Sequence, residues 1–178
     1  MIETLISSKT RVKLLLKFFL NSNTQGYLRG LESEFGESSN AIRVELNRFS
    51  KAGMLTSSQK GNKKYFKANV NHPLFQEVHN LLLKYVGIDT IVENVIERLG
   101  DVERVFLTGE FARGLDSPII DLLIIGEVDK NYLIQLIEKS EDLINKKIRY
   151  MSFSSKEWHN YKKELNENHI LLLWKKDK

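Results

Sequence analysis

The stretch Phe49-Ser50-Lys51-Ala52-Gly53-Met54-Leu55-Thr56-Ser57-Ser58-Gln59-Lys60-Gly61-Asn62-Lys63-Lys64-Tyr65 decides how the first half of the chain is read. It opens on the last turn of a helical apolar pattern. Gly53 follows, a residue that takes the left-handed conformation at no steric cost and so stops a helix. Met54 to Ser58 then runs as a short strand into a basic tip, Lys60 to Lys64, and an aromatic return begins at Tyr65-Phe66. Gly61-Asn62 supplies the residues that a tight hairpin turn requires. The order is helix, stop, strand, basic turn, strand.

Upstream of this stretch the pattern is helical. Residues 40–52 carry Ile42, Leu46 and Phe49 at i, i+4 and i+7, which makes one buried stripe. Glu37-Ser38-Ser39 is the turn before it, with a serine able to cap the helix. Residues 27–35 read as a shorter helix with Leu28, Leu31 and Phe35 inward, closed by Gly36. Asn21 to Gly26 is a turn cluster. Residues 8–20 form an amphipathic helix with Val12, Leu15, Leu16 and Phe19 inward and Lys13 and Lys17 on the other side.

Downstream, Pro73 opens a helix through residues 74–85, and a further helix covers 90–99 after a break at Gly87-Ile88-Asp89. Beyond Gly100 short apolar strands (105–107, 119–125, 147–153) alternate with helices (132–143, 155–165), and 170–174 is a last strand or a helix end. Strands that alternate with helices read as α/β.

The 178 residues are 42% hydrophobic, enough to build two small cores. Net charge is +4, but its distribution is uneven. Up to Tyr85 there are thirteen Lys and Arg, six Glu and no Asp; from Val86 there are fourteen basic and seventeen acidic residues. A basic half beside an acidic half predicts two domains with different partners. The basic half suits a polyanion, because phosphates attract Lys and Arg and release counterions; charge that serves solubility is the plainer alternative. No cysteine is present, which excludes disulfides, thiolate metal sites and a cysteine nucleophile. The four histidines lack the spacing of a metal pair, so no metal is expected. No apolar run reaches a membrane-spanning length, and Met1-Ile2-Glu3-Thr4-Leu5 lacks a signal-peptide pattern, so the expectation is a cytoplasmic protein without membrane contact.

Three helices and a basic hairpin in this order resemble the winged helix-turn-helix regulators of the ArsR/MarR-like kind. The resemblance implies that the third helix lies in the major groove of double-stranded DNA. Ser39, Asn40, Arg43 and Asn47 face away from the apolar stripe. Arginine suits guanine and asparagine suits adenine. Arg48 and Lys51 would add phosphate contacts, and the tip residues Lys60, Lys63 and Lys64 would follow neighbouring phosphates or enter the minor groove. A polar face that is merely solvated, and a winged helix that docks on protein, remain alternatives.

The second half carries another resemblance. Leu107-Thr108-Gly109-Glu110-Phe111-Ala112-Arg113-Gly114, followed by Ile120-Asp121-Leu122-Leu123-Ile124, is similar to the minimal nucleotidyltransferases. Their pattern is a strand, Gly-Ser-x-Ala-Arg-Gly, a loop, then Ser-Asp-x-Asp. Two aspartates one residue apart on a strand face one side and hold magnesium for nucleotidyl transfer. Here Glu110 stands at the serine, Ile119 at the first metal-binding aspartate, and Arg149 in the place of the third acid, leaving Asp121 alone. Gly109, Glu110, Arg113, Asp121 and Arg149 thus outline a degenerate nucleotide site without catalytic residues, metal or cofactor.

The expected architecture is a two-domain α+β and α/β protein. It has a winged helix-turn-helix with connector helix over 1–86 and a nucleotidyltransferase-like α/β domain with a small mixed sheet over 87–178. The expected function is DNA-binding transcriptional regulation, with the second domain sensing a small-molecule or protein effector, dimerising or binding a partner. An active nucleotidyltransferase and an antitoxin-like interaction module are the alternatives. The connector helix, around Leu81 to Tyr85, could pair with its copy in a homodimer or pack within its own chain.

Overall fold

The computed structural model describes residues 6–99, 101–162 and 169–176. Its chain divides into two compact units, Met1–Tyr85 and Val86–Lys178. The architecture is mixed α+β, with eight α-helices and two small sheets among the described residues. The opening pentapeptide, Gly100 and the last residues of the helix expected over 155–165 lie outside the described residues.

In the first unit, helix α1 (Lys9–Leu15) is capped by the Ser8 hydroxyl, which accepts from the Arg11 amide, and runs on as a π-helical turn, Leu16–Leu20. Lys17 is buried rather than outward. The wider π turn breaks the 3.6-residue period, and Lys17 meets Glu34 instead, Nζ to Oε1 at 2.7 Å. The sequence places Tyr27 in a helix. The structure puts it in a two-residue strand, β1 (Gly26–Tyr27), because Gly26 and Tyr27 pair with Phe66 and Tyr65 far along the chain.

Helix α2 (Leu28–Phe35) stops at Gly36, whose φ of 62° is left-handed. Helix α3 (Ser39–Lys51) begins at Ser38, whose Oγ accepts from the Ala41 amide at 3.2 Å. It ends in a Schellman motif: Gly53 at φ 73° donates to the Ser50 carbonyl, and Met54 donates to the Phe49 carbonyl. Strands β2 (Leu55–Lys60) and β3 (Lys63–Ala68) then form a hairpin with Lys60 opposite Lys63. Gly61 takes φ 59° at the first turn position, as a type II′ turn demands. The sheet order is β1-β3-β2. Leu15, Phe19, Leu31, Ile42, Leu46, Phe49, Leu55 and Phe66 are all buried. Helix α4 (Phe75–Val86) follows and sets the Phe75 ring 5.9 Å from Phe19.

The second unit opens with helix α5 (Ile88–Asn94) and continues through β4 (Val102–Thr108), the single-turn α6 (Gly109–Ala112), β5 (Ile119–Gly126), α7 (Lys130–Ile144), β6 (Lys147–Phe153), α8 (Ser155–Tyr161) and β7 (Leu171–Lys175). The sheet order is β6-β5-β4-β7. β5 and β6 are parallel, and α7 is the crossover that such a pair requires. The other pairings are antiparallel, so the sheet is mixed. β5 is buried along Leu122 to Ile125, as a central strand covered on both faces must be. Asp129 caps α7, and Ser154 with Glu157 forms a capping box on α8. Trp158 of α8 packs on Leu123 and Ile125 and stacks on Phe106.

Candidate functional site

A cleft of about 470 Å³ opens in the first unit between α3, the start of α2 and the β2-β3 hairpin. Arg29, Arg43, Asn47, Asn62, Lys63 and Lys64 line it over an apolar floor that includes Leu46 and Phe66. No carboxylate is among its lining residues. The floor is the inward face of α3 and β3; the polar rim is what those elements leave exposed. The aromatic return of the hairpin holds its cations: Lys63 Nζ lies 4.4 Å from the centre of the Tyr27 ring, and Tyr27 packs on Tyr65 at 5.2 Å. Lys60 and Lys64 sit over Tyr65 and Phe66 in the same way. Such contacts favour one direction for an ammonium that would otherwise sample many rotamers.

The residues singled out from sequence divide by their surroundings. Asn40, Arg43, Asn47 and Lys51 are exposed, and among the described residues the Arg43 and Asn47 side chains have no hydrogen-bond or ion-pair partner. Arg43 and Asn47 share the cleft with Lys63 and Lys64. Ser39 is half-buried and its hydroxyl bonds to Glu32 within the unit. Arg48 donates from Nη1 to Glu45 at 3.0 Å while most of its side chain stays exposed. Arg29, which the sequence did not single out, joins the cleft from the first turn of α2.

Three of the described acids of this unit are gathered away from the cleft. Glu34 holds Lys17, Glu37 holds Lys13, and Glu45 holds Arg11 and Arg48. Hydrogen bonding from Lys13 keeps the Glu37 carboxyl below its ordinary range. Burial works against the charge of Glu45, but bonds from Arg11 and the nearness of Arg11 and Arg48 outweigh it and hold that carboxyl low as well. Its partner Arg11 is held above its usual range by the same bond. Arg11, Lys13 and Lys17 are therefore paired with acids, while among the described residues Arg29, Arg43, Lys63 and Lys64 around the cleft have no ion pair.

In the second unit, Asp121 on β5 lies beside Thr108 of β4 and Arg149 of β6 in register. Arg149 Nε bonds to Asp121 Oδ1 at 2.5 Å, which raises the guanidinium above its ordinary range. Gly109, at φ 65°, packs so closely that a Cβ there would stand 2.1 Å from Asp121 Oδ2. Glu110 pairs with Arg113 at 2.9 Å, and Asp116 lies 3.5 Å from Lys146. Among the described residues no three His, Asp or Glu side chains are gathered as a metal site would need. One carboxylate bonded to an arginine, with Ile119 where a second would stand, does not fit a pair of magnesium ions.

No family model and no curated protein matches the chain. Among solved structures, a candidate nucleotidyltransferase from Sulfolobus solfataricus is similar at 25% identity and a TM-score of 0.37, covering 56% of this chain and 85% of its own. A candidate transcriptional regulator for arsenical resistance is similar at 19% identity and a TM-score of 0.31, covering 52% of this chain and 91% of its own.

Proposed function

We propose that the first unit binds double-stranded DNA as the reading head of a cytoplasmic transcriptional regulator, with the architecture of a winged helix-turn-helix. The carboxylate-free cleft, which brings Arg43 and Asn47 of α3 together with Lys63 and Lys64 of the hairpin, carries this reading. α3 enters the major groove, Arg43 and Asn47 read base edges, and the hairpin lysines follow the phosphates. Arg29 adds a phosphate contact from α2. The protein acts as a homodimer on a two-fold site; the exposed Leu74, just before α4, and Leu81 on it support pairing through that helix. The second unit serves sensing, dimerisation or partner binding. Its salt-bridged Asp121 and Arg149 support a nucleotidyltransferase scaffold that has lost its metal site.

The test is fluorescence anisotropy with duplexes, one selected from a random pool by the protein itself and one of random sequence. Arg43→Ala is expected to lower affinity for the selected duplex by about tenfold or more and to leave random duplex nearly unchanged. Lys63→Ala with Lys64→Ala is expected to weaken both alike. Wild-type protein that binds neither duplex at low salt contradicts the reading.

A further inference from the structure

Glu45 is a buried carboxylate on the helix proposed to read DNA, at 5% exposure, yet it stands one turn from the exposed face. Its partners come from two directions. From α1, Arg11 grips it with both arms, Nε to Oε2 at 2.9 Å and Nη2 to Oε1 at 3.1 Å, and the Ser8 hydroxyl adds a bond at 3.3 Å. From α3 itself, Arg48 Nη1 reaches Oε1 at 3.0 Å. Ser8 is also the cap of α1. The start of α1, the back of α3 and an arginine at the edge of the DNA-facing surface are thus one connected polar group.

A free arginine on a helix surface is a mobile cation that attracts any phosphate. Arg48 is not free. One of its nitrogens is spent on Glu45, and its charge is partly balanced.

Resting on the DNA-binding reading above, we infer that Glu45 is a positioning residue for sequence specificity: it holds Arg48 in a single geometry and withholds it from arbitrary phosphates. Recognition that needs that geometry gains from the order already present. Random duplex, which needs only charge, loses the use of one cation.

Four proteins test this: wild type, Glu45→Gln, Arg48→Lys and the double variant Glu45→Gln with Arg48→Gln. The probes are the selected and random duplexes, each titrated over a range of salt, with thermal melts alongside. Glu45→Gln is expected to raise random-duplex affinity about threefold, to steepen its salt dependence toward one further phosphate contact, and to lower selected-duplex affinity about threefold. The double variant is expected to lose the gain on random duplex, because the gain passes through Arg48. Arg48→Lys keeps the charge and loses the planar fork of donors. It is expected to hold random-duplex affinity within twofold while selected-duplex affinity drops about tenfold. Arg48 is largely exposed, so this variant folds whatever Glu45→Gln does. Equal losses on both duplexes in Glu45→Gln, or Arg48→Lys that leaves both unchanged, overturn the inference while DNA binding stands. Wild type that binds no DNA overturns the reading beneath it, and the inference falls with it.

Discussion

Gly109→Ala is the sharpest probe of the second unit. Gly109 begins α6 at φ 65°, where an alanine costs about 1–2 kcal/mol in backbone conformation. The added methyl would also stand 2.1 Å from Asp121 Oδ2, 2.8 Å from its Cγ and 3.1 Å from its Cβ. Turning the carboxylate aside disturbs its bond to Arg149, and the Cβ is held in place because β5 lies between β4 and β6. Overpacking of this kind costs about 1–3 kcal/mol, so the sum is about 2–5 kcal/mol. For a unit of this size that is about 10–25 °C in Tm. Both tryptophans, Trp158 and Trp174, lie in the second unit, so a thermal melt followed by tryptophan emission reports that unit alone. In an Asp121→Ala background the carboxylate overlap is gone, and Gly109→Ala is expected to cost only about half as much, the conformational share and the remaining Cβ contact. A Tm shift below about 3 °C, or the same shift in both backgrounds, refutes the argument.

Other consequences follow from the same geometry. The carboxyls of Glu37 and Glu45 are held below their ordinary range, so they bind fewer protons folded than unfolded at mildly acid pH. Their contribution is complete above the unfolded carboxylate range and is lost as pH falls through the folded values; chemical denaturation of the first unit, followed by far-UV circular dichroism, is expected to show stability falling below about pH 4.5. A Glu45→Gln variant should flatten that fall. With labelled nucleoside triphosphates and magnesium, no incorporation into DNA, RNA or the protein itself is expected, because Arg149 occupies the carboxylate of Asp121. Incorporation abolished by Asp121→Asn would overturn that expectation. Leu81→Glu is expected to halve the mass of the particle by light scattering if α4 pairs with its copy; an unchanged mass places the contact elsewhere.

Local chemistry was legible in the sequence. Gly36, Gly53 and Gly61 each sit where a left-handed residue is required, and Ser38 caps α3 as its position suggests. The stripe of Ile42, Leu46 and Phe49 is buried as its spacing demands. In the second unit, Asp121 and Arg149 were singled out from two separate segments of sequence, and the pairing of β5 with β6 places them in register. What could not be read depends on partners distant in the chain. β1 is two residues long, too short for alternation to show, and exists only because β3 pairs with it. Lys17 reads as a surface residue until a π turn rotates it onto Glu34. Glu45 looks like one more helix-surface acid, because Arg11 lies 34 residues away. Arg29 has no signal in sequence; it enters the cleft because β1 and β3 bring the start of α2 against the hairpin.

The most direct test of DNA reading is the salt dependence of duplex binding by the wild-type chain. Arg29, Arg43, Lys63 and Lys64 face one cleft with no carboxylate among its lining residues. If Arg29, Lys63 and Lys64 meet phosphates while Arg43 reads bases, the logarithm of the binding constant falls against the logarithm of salt concentration with a slope near −2.7, about 0.9 for each contact. A slope of about −2.5 or steeper is the predicted result. A slope between zero and −1 on DNA the protein does bind would contradict the account.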